Sequence, residues 1–183
     1  MALMSSSMLA LGTKATNFKL MDTVTKESYS LNAKKSKATV IMFICNHCPY
    51  VKHVIQELVQ LAKDYQAKDI TFIAISANDP AGYPEDAPEK MTKLAKQFGF
   101  SFPYLYDETQ SIAKAYQATC TPDFFIFDTD LLCVYRGQLD GSRPGNKILV
   151  TGKDIRSALD NILREKPVNP QQIPSMGCNI KWK

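Results

Sequence analysis

Cys45 and Cys48, two of the five cysteines, are separated by two residues in the segment FICNHCPYVKH. Two thiols at this spacing can form a redox disulfide, supply half of a metal site, or be buried as small side chains. The preceding residues, TVIMFI, contain no polar residue after Thr39, which predicts a strand covered on both faces. From His47 onward, apolar residues recur at helical spacing. The pair is therefore predicted to lie at a strand-to-helix junction.

That junction favours the redox interpretation. Unpaired amide hydrogens and a partial positive charge at a helix N-terminus stabilise a thiolate, so Cys45 is predicted to be the attacking sulfur. Protonated His47 would stabilise this anion further. Cys48 lies one helical turn on and can resolve a mixed disulfide formed on Cys45. Pro49 fits the first helical turn, where its missing amide hydrogen costs nothing.

A metal site and an inert buried pair are the alternatives. Zinc needs further ligands at suitable spacing, but there is no second Cys-x-x-Cys and the histidines are His47 and His53 alone. His53 falls on the polar face of the predicted helix, where solvent is expected to surround it. We therefore expect neither a metal nor an organic cofactor.

Strands and helices alternate around the junction. A polar turn in NFKLMDTVTKESYSL predicts a hairpin before it, and ITFIAIS predicts a second buried strand after the helix. TPDFFIFDTDLLCVYRG reads as two strands joined by a tight turn, and two further amphipathic helices are predicted before and after this pair. This order predicts an α/β fold, a mixed central sheet flanked by helices on both faces, with an N-terminal β-hairpin extension.

Three shorter segments are assigned from weaker patterns. Residues 1–15 lack the basic start of an export signal and are predicted to be a frayed leader. Residues 34–37, KKSK, are predicted to be a loop. Asp86, which precedes Pro88, is predicted to be the N-cap of the second helix.

The end of the chain has no regular pattern. From Lys166 onward we predict an irregular tail, which Ile180 and Trp182 would hold against the domain as a hydrophobic latch. The predicted organisation is therefore one domain over 1–165 and a packed C-terminal tail over 166–183.

Composition limits the function classes. The chain has 183 residues and a net charge of +4, enough for one domain with a substantial core. Its lysines are scattered, which argues against nucleic-acid binding, and no apolar run approaches the about 20 residues of a membrane span. An odd number of unevenly spaced cysteines argues against a secreted disulfide framework, so we expect a cytoplasmic location.

The strand, the Cys-x-x-Cys pair and the helix together resemble the thioredoxin superfamily. The hairpin and the insertion before the second helix are similar to its redoxin branch, which contains the alkyl hydroperoxide reductase and thiol-specific antioxidant proteins. FICNHCPYVKH, CTPDFFIFD, YRGQLDGSRPGN and GCNIKW resemble stand-alone thioredoxin-like redoxins over nearly the whole chain. The resemblance implies a thiol–disulfide oxidoreductase acting on protein or small disulfides, with a dithiol protein or a small thiol as electron donor.

The same resemblance implies a substrate-binding ledge. In thioredoxin-like proteins a Thr-Pro or similar pair with a cis proline faces the dithiol, and Thr121-Pro122 matches it in chain position. A cis bond there would expose the Thr121 backbone, which could pair with an extended substrate like an added strand.

Two positions depart from the thioredoxins proper. Ile44 stands where they carry a tryptophan before the first cysteine, and Thr39 where they bury an aspartate. Proton transfer to and from Cys48 therefore needs another group, for which His47, Asp123 and water remain open.

Two other function classes remain as alternatives. Peroxiredoxins place Pro-x-x-x-Thr/Ser-x-x-Cys around the peroxide-reactive cysteine, but Met42 and Ala38 occupy these positions relative to Cys45. A non-catalytic binding module could instead use aromatic residues as an interface, which are Tyr50, Phe124, Phe125 and Tyr135.

Three thiols lie outside the pair. Cys133 alternates with apolar neighbours in a predicted strand and is expected to be inert. Cys120, two residues before Pro122, is expected near the dithiol. Cys178 would either be a small buried residue under the tail or form a second exchange pair with Cys120, which needs Cα atoms within about 7 Å.

Overall fold

The computed structural model describes residues 3–31 and 36–183, so the predicted loop at 34–37 lies partly outside the described residues. The helices are α1 (Pro49–Gln66), α2 (Pro88–Phe98), α3 (Ser111–Ala115) and α4 (Lys153–Leu163). The strands are β1 (Leu3–Ser5), β2 (Lys19–Asp22), β3 (Ser28–Ser30), β4 (Ala38–Phe43), β5 (Ile70–Ser76), β6 (Tyr104–Tyr106), β7 (Cys120–Thr121), β8 (Asp123–Phe127), β9 (Cys133–Gly137) and β10 (Met176–Asn179).

Strand β4 is an interior strand of a seven-stranded sheet with the order β3-β2-β6-β5-β4-β8-β9. It runs parallel to β5 and antiparallel to β8, so the sheet is mixed. All six of its residues are buried, as its unbroken apolar run predicts. The predicted hairpin is β2 and β3, and β2 joins it to the sheet by pairing with β6.

Alternate residues of β4 belong to two cores, one on each face of the sheet. Val40 and Met42 pack in the core that also contains the apolar faces of α1, α2 and α4. Ile41 and Phe43 pack on the other face, together with Ala113 of α3. Helices therefore cover both faces, and the predicted α/β architecture is confirmed.

The beginning of α2 differs from the prediction. Asp86 is not its N-cap, because α2 begins at Pro88 with Ala87 in the N-cap position. Asp86 instead ends a short 3-10 turn and is fully buried. Gly99 ends α2 with a φ of 65°, in the left-handed region that glycine adopts without strain.

Strands from the two ends of the chain, together with β7, form a second, small sheet with the order β1-β10-β7. The leader predicted to be frayed contributes β1, and the tail predicted to be irregular contributes β10, so both predictions are wrong for these residues. Local patterns missed the strands because each consists of three or four residues that pair with distant segments. Ile180 is buried as predicted, but Trp182 is 42% exposed and provides little of the predicted latch.

None of the helices within 3–31 and 36–183 is long and apolar enough to cross a membrane.

Candidate active site

Cys45 and Cys48 lie where β4 gives way to α1. Cys48 is the N-cap of α1, and Pro49 occupies its first turn, as the spacing predicts. Both side chains are thiols rather than a disulfide, and both are fully buried. The strand ends at Phe43 because the following residues must turn so that the helix can pack back on the sheet.

Thr121 contacts both sulfurs of the pair. Its Oγ1 lies 3.3 Å from Cys45 Sγ, and its carbonyl oxygen lies 3.2 Å from Cys48 Sγ. The Thr121-Pro122 peptide bond is cis, as predicted. The structure thus brings Thr121 and Pro122 next to Cys45 and Cys48, which lie more than 70 residues earlier in the chain.

A third sulfur belongs to the same cluster. Cys178 Sγ lies 2.9 Å from Cys48 Sγ, well beyond the about 2.05 Å of a disulfide bond. The register of β10 sets Cys178 opposite Thr121, so the tail does fold back onto the Thr121-Pro122 loop. Cys120 is instead opposite Asn179, and adjacent strand residues point to opposite faces. The geometry therefore favours Cys48, rather than Cys120, as the exchange partner of Cys178.

His47 is held by a carboxylate. Its Nδ1 lies 2.5 Å from Asp86 Oδ2 and 3.9 Å from Cys45 Sγ. Its ring stacks on Tyr83, with 4.7 Å between the ring centroids. The sequence predicted an imidazolium directed at Cys45, whereas in the structure the shorter contact of His47 is to Asp86.

Asp86 is a site residue that the sequence analysis missed. It accepts hydrogen bonds from the Asn46 and His47 amides at 2.8 and 3.1 Å and from Asn78 Nδ2 at 2.8 Å. Although burial raises it, the hydrogen bonds from His47 and Asn78 hold the pKa of Asp86 below its usual value. Pro84 and Pro88, which flank the segment EDA, could have signalled an irregular loop, but the N-cap rule accounted for Asp86 equally well.

The two thiols of the pair titrate together, and the first proton leaves far more easily than the second. Hydrogen bonding from Cys45, assisted by Cys178, lowers the pKa of Cys48 to about 5. Burial, the hydrogen bond with Cys48 and the charge of Asp86 raise the pKa of Cys45 well above its ordinary value. The sequence argument assigned the lowered pKa to Cys45. The structure differs on this point because Cys45 is deeply buried beside the charge of Asp86, whereas Cys48 accepts hydrogen bonds from Cys45 and Cys178.

Other predicted groups lie differently from expectation. His53 donates to or accepts from Ser142 Oγ at 2.8 Å and is not simply solvated. Asp123 pairs with Phe43 on β4 and so shares the sheet face opposite the core that contains the dithiol. Burial raises the pKa of Asp123 to about 7. Its position makes it a poor proton acceptor for Cys48, whereas His47 and Asp86 lie beside Cys45.

Within the part of the chain that the structure describes, one set of residues could hold a metal ion. Ligand atoms of Cys45, His47 and Asp86 lie within 4.8 Å of one another. Asp86 is thus a possible zinc ligand that the argument from sequence spacing did not include. The short hydrogen bond between His47 and Asp86 already accounts for two of the three groups.

The fold and this junction define a thioredoxin-like protein. The chain superposes with a TM-score of 0.60 on the thioredoxin domain of a thiol-disulfide oxidoreductase from Bacteroides vulgatus, at 19% identity over 74% of this chain and 90% of that one. At this identity the likeness shows the fold alone. The sequence model of the AhpC/TSA family matches residues 11–136, so the chain belongs to that family.

Two further proteins are similar to this chain, one at high and one at low sequence identity. An uncharacterized conserved protein from Geobacillus kaustophilus is 58% identical, with a TM-score of 0.98 over 100% of this chain and 97% of that one. Thiol-disulfide oxidoreductase ResA of Halalkalibacterium halodurans is 26% identical over 60% of this chain. The match spans 58% of the length of this curated relative.

Proposed function

We propose that this protein is a thiol–disulfide oxidoreductase that cycles Cys45 and Cys48 between dithiol and disulfide. Membership of the AhpC/TSA family and the similarity to a thiol-disulfide oxidoreductase support a thiol redox function at the family level. The observation that carries the specific proposal is the position of Thr121, which contacts both sulfurs through different atoms.

Thr121 can stabilise a negative charge on Cys45 through its hydroxyl, whereas its carbonyl oxygen can only accept the S–H of Cys48. When the dithiol has lost one proton, its charge lies mainly on Cys48, whose pKa is lowered by hydrogen bonding from Cys45. Transfer of the remaining proton from Cys45 to Cys48 creates the attacking thiolate. The Thr121 carbonyl oxygen then accepts the Cys48 S–H, and the Thr121 hydroxyl donates to Cys45.

The exchange then needs no cofactor. The Cys45 thiolate attacks one sulfur of a substrate disulfide, forms a mixed disulfide and releases the other substrate sulfur as a thiolate, which takes up a proton. Cys48 loses its proton, His47–Asp86 or water being the acceptor, and attacks Cys45 Sγ. The second substrate thiol leaves, the substrate has gained two electrons, and Cys45–Cys48 is oxidised. A dithiol protein or a small thiol would restore it in the cytoplasm.

Insulin reduction with dithiothreitol as electron donor tests this proposal. Wild-type protein should accelerate the reduction, and Cys45→Ser and Cys48→Ser should both abolish the acceleration. Cys133→Ala is the matched control, because it removes a buried thiol from the other sheet face and should retain activity.

A trapping experiment assigns the roles. Cys48→Ser should accumulate a mixed disulfide on Cys45, since the thiol assigned to resolve it has been removed. Accumulation on Cys48 in Cys45→Ser instead would reverse the assignment. If the wild type reduced no disulfide but consumed hydrogen peroxide at rates typical of dedicated peroxidases, the protein would be a thiol peroxidase.

A further inference from the structure

The backbone ledge expected to bind substrate is paired with the tail of the chain itself. Strand β10 runs antiparallel to β7, with Cys178 opposite Thr121 and Asn179 opposite Cys120. At Gly177 the approach is so close that an added Cβ would lie 2.0 Å from the Thr121 carbonyl oxygen. Residues 176–179 thus occupy the position that an extended substrate strand would take beside Thr121.

This pairing delivers a cysteine to the dithiol. Cys178 is 4% exposed, and its sulfur lies 2.9 Å from Cys48 Sγ. A substrate bound by strand addition would present its own cysteine at a similar position. The tail therefore resembles a bound substrate segment, with Cys178 in place of the substrate cysteine.

The tail is fixed by the same network that supports the dithiol loop. The Lys181 amide donates to Asn78 Oδ1 at 2.8 Å, while Asn78 Nδ2 donates to Asp86, the partner of His47. The Lys181 carbonyl oxygen accepts from the Asp79 amide and from Gln110 Nε2, at 2.9 and 2.8 Å. Cys178 is thus positioned by its pairing with Thr121 and by the backbone contacts of Lys181, three residues further on.

We propose that Cys178 is a third redox thiol that attacks Cys48 of the oxidised Cys45–Cys48 pair. This inference rests on the proposed function and deepens it. The electron pair of the Cys178 thiolate forms the Cys48–Cys178 bond, and the Cys45–Cys48 bond breaks with its electrons on Cys45. Cys45 takes up the proton that Cys178 has lost, so the exchange needs no external oxidant or reductant. The disulfide then joins Cys178 of the tail to Cys48, and Cys45 is again a thiol.

The surroundings of Cys178 favour its ionisation after, rather than before, the oxidation of Cys45 and Cys48. Burial, together with the hydrogen bond to Cys48 and the charge on Cys48, raises the pKa of Cys178 to about 12, and Lys181 offsets part of the rise. Once Cys48 is in a disulfide with Cys45, it no longer carries the negative charge that accepts the Cys178 S–H, so both of these causes disappear. Cys178 therefore becomes easier to ionise after the pair has been oxidised.

Tryptic mapping of the oxidised protein tests the proposal. The reduced protein is treated with one equivalent of diamide, quenched in acid, alkylated with N-ethylmaleimide and digested. Cys45 and Cys48 share the peptide 38–52, whereas Cys178 falls in 165–181, where Pro167 protects Lys166 from cleavage. We expect a disulfide-linked pair of these two peptides in the wild type and, in higher yield, in Cys45→Ser. Absence of the link from both proteins overturns the proposal.

Two test variants and one control make the result specific. Cys48→Ser should abolish the link, while Cys133→Ala, the matched control, should retain it at wild-type yield. Gly177→Ala keeps all three thiols but forces β10 away from Thr121, so its link should fall several-fold. A link that persists in Cys48→Ser would show that Cys178 reacts with Cys45, which overturns the proposed exchange.

The insulin assay separates this inference from the proposed function. If wild type and Cys178→Ala both reduce insulin but no link forms, the third thiol is rejected and the oxidoreductase stands. If the link forms in the wild type but no disulfide substrate is reduced, the internal exchange stands and the proposed function fails.

Discussion

Asp86 and Asp123 are both fully buried carboxyl groups, yet their pKa values shift in opposite directions. Asp86 accepts hydrogen bonds from two backbone amides, a histidine ring and an amide side chain, and its pKa is held below the usual value. Burial dominates at Asp123 and raises its pKa to about 7, because hydrogen bonds from Ser6 and Ser175 offset only part of the rise.

The difference shows that burial alone does not set the charge of a carboxyl group. Donors directed at both oxygens of Asp86 replace the water it has lost, so it remains an anion in the folded protein. Asp123 lacks comparable compensation and holds its proton to near neutral pH. The anion at Asp86 orders the dithiol loop, whereas the carboxyl group of Asp123 is a pH-sensitive position on the other sheet face.

Removing the Asp86 carboxylate should have the largest effect. Asp86→Ala leaves four buried donors without their acceptor, and we expect the free energy of unfolding at pH 7 to fall by about 5 kcal/mol. Because the folded pKa of Asp86 is lowered, its contribution is present above the ordinary carboxyl pKa and is lost as the pH falls. The difference between variant and wild type should therefore shrink in acid. Urea unfolding at several pH values measures both effects.

Glu85→Ala is the matched control for this variant. Glu85 is the neighbouring residue, and its exposed side chain forms an ion pair with Lys90 at 3.4 Å. Such a surface pair contributes about 0.5 kcal/mol. Equal losses of stability in Asp86→Ala and Glu85→Ala would contradict the contrast drawn between the two aspartates.

Asp123 should give the opposite dependence on pH. A carboxyl pKa raised from about 3.9 to about 7 means that the folded state binds the proton more tightly than the unfolded chain. Its contribution is therefore fully present below pH 4 and is lost as the pH rises to 7. Three pKa units correspond to a loss of about 4 kcal/mol at most. Asp123→Asn should abolish this decline.

The comparison of stabilities at pH 5 and pH 8 tests this prediction. Other groups titrate over this range, so the quantity to follow is the difference in unfolding free energy between the variant and wild type. Asp130→Asn, at an exposed position in the β8–β9 turn, is the control and should show a constant difference. A constant difference for Asp123→Asn as well would mean that Asp123 is ionised throughout.

The sequence could predict the dithiol junction because its signals are local. An unbroken apolar strand, a Cys-x-x-Cys pair and an amphipathic helix follow one another within 30 residues. The same local patterns predicted the mixed sheet and its hairpin, and the structure confirms both. The position of Thr121-Pro122 needed more than local signals and came from the resemblance of the chain to a family.

The parts that could not be predicted depend on contacts between distant residues. Cys178 meets Cys48 across 130 positions, and Asp86 meets the Asn46 amide across 40. No periodicity links such pairs, and each residue had an adequate local interpretation, a small tail residue in one case and an N-cap in the other. The pKa values of the dithiol depend on these contacts, so local patterns alone could not apportion the charge between Cys45 and Cys48.

The smallest predicted effect concerns the influence of Asp86 on Cys45. Its negative charge is one cause of the raised pKa of Cys45, after burial and the hydrogen bond with Cys48. Asp86→Asn removes the charge but keeps a side chain of the same size, so the pKa of Cys45 should fall. The second proton of the dithiol should then be lost at lower pH, which the ultraviolet absorbance of the thiolates records. Glu85→Gln, which removes an exposed charge one residue away, should leave the titration unchanged. If Asp86→Asn also leaves it unchanged, burial and Cys48 alone hold the proton on Cys45, and Asp86 acts on the loop through its hydrogen bonds only.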